Sequence, residues 1–145
     1  MGYCTLYGDM VGALNPIGDL FKTRVYALAR FINLQMGGVI PERSIQKAPS
    51  AELRPNQKDQ DTLPKYEILD PLLKAYIEDG WSVEKLAETF SEELKSQPLQ
   101  LEGILRKVEL NEYKRRQAAP ILKISRKAFG IGRRIPIAKH WDQFC

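Results

Sequence analysis

Residues 66–108 read YEILDPLLKAYIEDGWSVEKLAETFSEELKSQPLQLEGILRKV, and their spacing sets the fold class. Apolar residues recur every three or four positions, the period of a helix with one face turned inward. Asp70 followed by Pro71 reads as a cap and first-turn pair, with Leu72, Leu73, Tyr76 and Ile77 on one face and Gly80 at the end. Ser82 caps a second helix whose stripe is Val83, Leu86, Ala87, Phe90 and Leu94. Pro98 opens a third, with Leu101, Ile104, Leu105 and Val108 inward. The last two helices, separated by a few residues, predict a helical hairpin.

Upstream, residues 44–65 run SIQKAPSAELRPNQKDQDTLPK, with three prolines and little apolar periodicity. A connection of this length in a compact domain is functional or disordered, so a structureless segment is expected here. Before it, Pro16, Gly18 and Asp19 mark a helix start, and Phe21, Val25, Leu28, Ala29 and Ile32 follow at helical spacing. Gly37, Gly38 and Pro41 stop that helix. Residues 2–12 hold three glycines and no helical period, which suits a loop or the edge of a strand. Downstream of Tyr113 the chain turns basic and irregular, with Pro120, Gly130, Gly132 and Pro136. The Val/Ile runs that alternate with helices in a complete α/β domain are missing.

The 145 residues amount to about one ordinary domain, and a composition 43% hydrophobic and 28% charged supports a packed core. No apolar run approaches the ~18 residues needed to span a membrane, and MGYCTLYGD does not read as a signal peptide. Cys4 and Cys145 form neither a metal spacing nor a disulfide framework, which fits a reducing, cytoplasmic setting. His140 is the only histidine, so a Ser/His/Asp set is excluded. The net charge of +4 divides into +7 over residues 111–145 and −3 before them. A basic tail implies an anionic partner, an acidic docking surface on the chain itself, or simple solvation.

Two constellations point to phosphate chemistry. Tyr7-Gly8-Asp9 is followed by Lys22 in the first turn of a predicted helix. Helix N–H groups and a lysine together suit a polyphosphate, although an ordinary surface lysine would look the same. Lys47-Ala48-Pro49-Ser50-Ala51-Glu52 heads the polar connection. Lysine and serine there suit a lid that closes on phosphate, or a plain turn-rich loop. GIGRR (130–134) lacks the spacing and the Lys-Ser/Thr ending of a Walker loop, and reads as a surface turn.

The stretch GYCTLYGDMVGALNPIGDLFKTRVYALA (2–29) resembles the synthetase domain of glutamine-dependent NAD synthetases. QKAPSAEL (46–53), the acidic DQD (59–61) with YEILDPLL (66–73), EYKRRQAAP (112–120) and SRKAFGIGRRIPI (125–137) resemble later parts of the same domain, in order. The resemblance implies an α/β domain of the adenine nucleotide alpha-hydrolase type, a parallel sheet flanked by helices, of which this chain carries mostly helices. It implies an ATP-dependent ligase. The carboxylate of deamido-NAD attacks ATP, leaving an adenylated intermediate and pyrophosphate, and ammonia from glutamine then forms the amide of NAD. By the same resemblance Lys22 and Ser50 contact ATP, while Lys114, Asp9 and Arg115 contact deamido-NAD.

The chain also departs from the pattern. Leu6 and Ala13 stand where ammonia-dependent relatives carry lysine and aspartate, which favours the glutamine-dependent branch. Gln60 interrupts the acidic pair of the loop. The family's SGG-x-DS pyrophosphate loop, its Mg2+-binding glutamate and its glutaminase domain belong upstream of the GYCTLYGD motif, and none is in this sequence. Cys4 lies within that motif and is not the glutaminase nucleophile. The expectation is therefore residues 1–145 as the C-terminal portion of a longer synthetase, inactive alone, with the magnesium ligands upstream. The full-length enzyme would be a homo-oligomer, with no membrane and no nucleic-acid partner. A split gene product working with a second chain is a variant of that reading. The competing expectation is a non-enzymatic basic helical module that binds nucleic acid through residues 114–134.

Overall fold

The computed structural model describes residues 1–8, 10–52 and 54–136. Asp9, Leu53 and residues 137–145, with His140 and Cys145, lie outside them. Among the described residues six helices follow in order: α1 (Lys22–Met36), α2 (Glu42–Gln46), α3 (Tyr66–Ile77), α4 (Val83–Leu94), α5 (Leu101–Leu110) and α6 (Glu112–Arg116), with a 3₁₀ turn at Asp59–Asp61 before α3. Among the described residues the only β pairing is a single parallel bridge between Asn15 and Ile121. Among the described residues no helix is long and apolar enough to cross a membrane.

The core lies where the 66–108 periodicity puts it. Leu69, Leu72 and Leu73 of α3 meet Leu86 and Leu94 of α4 and Ile104, Leu105 and Val108 of α5, all buried. Each such side chain removed from water contributes roughly 1.5–3 kcal/mol before entropy is counted. Ser82 caps α4 as expected, its hydroxyl accepting from the Lys85 N–H at 3.4 Å. The α4–α5 hairpin forms. The Gly37 stop forms too: Gly37 sits in the left-handed region at φ 71° and donates to the Asn33 carbonyl. The Asn33 amide then staples Ile40, donating to its carbonyl and accepting from its N–H, each at 2.8 Å.

Four boundaries differ from the expectation. α3 begins at Tyr66, so Pro71 lies inside it and Asp70 does not cap its own helix. The Asp70 carboxylate instead accepts from the Thr23 N–H of α1 at 2.7 Å. α1 begins at Lys22, three residues after Asp19, because residues 15–20 form consecutive turns and the Asp19 carboxylate is turned toward the tail. α5 begins at Leu101 rather than Pro98. Gln100 is extended (ψ 169°), and its side-chain amide reaches back to the Leu94 carbonyl at the end of α4.

The connection 44–65 is the fourth difference, since it is not structureless throughout. The Asp59 N–H donates to the Pro49 carbonyl at 2.9 Å, closing the neck of residues 50–58. Beyond the neck, Leu63 and Pro64 are fully buried against the helical core. Asp59 is itself buried and accepts from the Tyr66 hydroxyl at 2.6 Å. Leu63, with its neighbour Pro64, pins the end of the loop.

Candidate functional site

A cavity of about 340 Å³ opens between the N-terminal segment, the start of α1, α3, α6 and the tail. Lys22, Lys114 and Arg115 all line it, although they come from opposite ends of the chain. Lys22 reaches it as the first residue of α1, which three features fix. Phe21 supplies the carbonyl for the first turn, Asp70 takes the Thr23 N–H, and Asp19 holds the turn before it. The Lys22 ammonium lies 5.8 Å from the Tyr26 ring centroid. Burial pushes the Asp70 carboxyl pKa up; the Thr23 donor and the Lys22 charge oppose this without cancelling it.

α6 delivers the other two cations in opposite states. The Lys114 ammonium donates to the carbonyls of Gly2 (2.7 Å) and Cys4 (2.9 Å), leaving one of its three N–H groups for something else. Arg115 is buried and has all five N–H groups engaged. Two go to Glu112, and three go to the carbonyls of Phe129, Gly130 and Arg133. Arg115 therefore braces the 129–133 turn and has no donor left for a ligand.

Asp19 is the counterpart of Arg115, and sequence reasoning missed it. Its carboxylate accepts from the N–H groups of Ile124 (2.8 Å), Ser125 (2.7 Å) and Phe129 (2.7 Å). Burial alone would raise its pKa, but these donors outweigh it and hold the carboxyl below its ordinary value. All three donors lie more than a hundred residues away in sequence, so no local pattern announces the contact. The basic tail is accordingly tied down through its backbone and at Arg115 and Arg133, while Arg116, Lys123, Arg126, Lys127 and Arg134 stay exposed. Its residues also pair with acids of the chain: Arg133 with Glu109 at 2.7 Å, and Arg126 with Asp79 at 3.7 Å.

Ser50 lies elsewhere. It borders an open hollow of about 630 Å³ within the 47–58 loop, which shares no lining residue with the first cavity. The Ser50 hydroxyl accepts from the Glu52 N–H at 3.0 Å, and Lys47 pairs with Glu52, which lowers the exposed Glu52 carboxyl pKa. Glu52 and Asn56 both adopt left-handed backbone, φ 54° and 57°. Asp9 lies outside the described residues. No group of three or more His, Cys, Asp or Glu side chains among the described residues is placed to hold a metal ion.

A family model described as NAD synthase matches residues 1–118. The glutamine-dependent NAD(+) synthetase of Acinetobacter baylyi is 50% identical over 143 residues, covering 97% of this chain and 25% of its own. That of Thermotoga maritima is 45% identical over 143 residues, covering 98% and 24%. The solved glutamine-dependent NAD+ synthetase of Acinetobacter baumannii, in complex with adenosine diphosphate, is 40% identical. It covers 94% of this chain and 22% of that one, with a TM-score of 0.45. The chain thus spans about a quarter of the length of the curated relatives it matches.

Proposed function

The chain belongs to the NAD synthase family, and on that premise we propose that it supplies one wall of the nucleotide site in a cytoplasmic ATP-dependent ligase. The ligase amidates deamido-NAD to NAD with ammonia from glutamine. Residues 1–145 are then the C-terminal portion of its synthetase domain, and the parallel sheet of the α/β fold is completed by the rest of the longer protein. The observation that carries the reading is the meeting of Lys22, at the head of a fifteen-residue helix, with Lys114 on one cavity.

Each residue has a chemical task. The carboxylate oxygen of deamido-NAD bonds to the α-phosphorus of ATP as the bond to pyrophosphate breaks, and ammonia then displaces AMP from the acyl carbon. Negative charge builds on phosphate oxygens, and a lysine at a helix N-terminus opposes it without needing to move. Lys22 is assigned to ATP, and Ser50, on the necked loop, reaches ATP when that loop closes over the cavity. Lys114 is assigned to the dinucleotide through its remaining N–H, and Asp9 of the GYCTLYGD motif is assigned to the same ligand. Arg115 acts on the dinucleotide through the turn it holds. Magnesium accompanies ATP in this reading, with ligands upstream of the GYCTLYGD motif; among the described residues no group of three or more His, Cys, Asp or Glu is placed to hold it. The full-length enzyme is proposed to pair with itself. The outer face of α1 supports this, with Phe31, Leu34 and Met36 exposed.

The test is a calorimetric ATP titration of the chain and of Lys22→Ala. Loss of one charge-assisted hydrogen bond, about 1.5–3 kcal/mol, weakens ATP binding roughly ten- to hundredfold. The melting temperature should hold, because a lysine at the positive end of a helix adds nothing to the fold. Unchanged ATP affinity removes Lys22 from the site. The nucleic-acid reading gains no support, and Arg115 and Arg133 of the basic stretch are engaged within the chain.

A further inference from the structure

The tail wall of the cavity is an irregular segment held by two opposite charges. Asp19 gathers three of its N–H groups, from Ile124, Ser125 and Phe129, while Arg115 gathers three of its carbonyls, from Phe129, Gly130 and Arg133. Phe129 is gripped on both sides of its backbone. The segment between the grips brings Lys127 and Arg133 to the cavity. Asp19 itself sits three residues before Lys22, so one carboxylate joins the lysine wall to the tail wall.

A carboxylate beside a phosphate site would ordinarily repel the ligand. Here its charge is directed into three N–H donors and faces the backbone. That placement suits a brace, not a ligand contact. We propose that Asp19 is a positioning residue for an anionic dinucleotide: it holds the tail wall, with Lys127 and Arg133, in place against the cavity that Lys114 also lines. The proposal rests on the function proposed above and adds a residue to it.

Asp19→Asn separates this role from simple electrostatics. The variant removes a negative charge from an anion site, which by charge alone tightens binding. It also turns an amide NH2 toward backbone donors, which cannot accept it, and so loosens the tail. The probes are NAD and ATP, titrated separately against the 145-residue chain, with amide hydrogen exchange recorded alongside. Exchange at Ile124, Ser125 and Phe129 should quicken, and NAD affinity should fall by about tenfold, the size of one charge-assisted bond. ATP affinity should fall by clearly less than NAD affinity, since Phe21 and Asp70 still hold the first turn of α1, and the protection of α3, α4 and α5 should stay close to the parent. Asp19→Glu keeps the charge but displaces it by one methylene, and should fall between the two; it carries the same comparison if the asparagine variant does not fold. Faster exchange with unchanged or tighter NAD binding overturns the proposal, leaving Asp19 a fold contact only. An equal loss for ATP and NAD overturns it as well, since that marks general loosening. A parent chain that binds neither nucleotide overturns the proposed function first, before any variant is compared.

Discussion

Arg115 and Glu112 form a buried pair whose guanidinium makes five hydrogen bonds within the chain. Deleting one member of such a pair leaves an uncompensated buried charge. Arg115→Ala is therefore expected to cost about 3–5 kcal/mol, read as a fall in the denaturant midpoint. Arg115→Lys should not restore it, because three rotating donors cannot replace a planar fork of five. A midpoint within experimental error of the parent for either variant would refute this account.

Asp19 makes the stability of the chain depend on pH. Its folded pKa lies below the ordinary carboxyl value of 3.8. The unfolded chain therefore takes up its proton first as pH falls. Asp19 contributes stability in full above about pH 5, and loses it as pH drops through 3.8 and then through the folded value. Melting curves from pH 6 down to about pH 2 should show the parent losing more stability than Asp19→Asn, so that their gap narrows. A gap of constant width would mean that the carboxylate charge does not hold the tail. The identity of Asp19 was plain in the sequence, but it read as a helix-start mark, because Asp after Gly commonly is one. Only folding brought Ile124, Ser125 and Phe129 to it.

Among the elements, the tail turn 128–133 owes its shape to Gly132. A Cβ there would stand 2.3 Å from the Ala128 nitrogen and 2.9 Å from its oxygen, both backbone atoms that no side-chain rotation can move. Gly132→Ala should push the turn off Arg115 and destabilise the chain by about 1–3 kcal/mol, the usual range for overpacking. The same change at Gly37, where a Cβ meets open space, should cost only the left-handed backbone strain, about 1 kcal/mol. Comparing the two melting temperatures checks the ranking, and equal losses would contradict it. The helices α4 and α5 were legible because their stripes repeat at 3.6 residues and their cap is local. The starts of α1 and α3 were not, because Asp70 caps a neighbour and not itself.

At the scale of the whole molecule, the cavity joins segments from both ends of the chain, yet the sequence contains no SGG-x-DS pyrophosphate loop. The 145-residue chain by itself is expected to form no NAD from deamido-NAD, ATP and ammonia. Production of NAD or of pyrophosphate by the pure chain would overturn that expectation. The family could be read from separated motifs that keep their order, and the helical core from apolar spacing, because both are written in residue type and interval. The placement of Lys22, Lys114 and Arg115 on one cavity, with Ser50 on another, was settled by tertiary structure. So was the division of labour between two adjacent basic residues, one with an N–H to spare and one with none. A side chain's identity fixes its charge and its donors, and only the folded chain decides which carbonyls and carboxylates use them up.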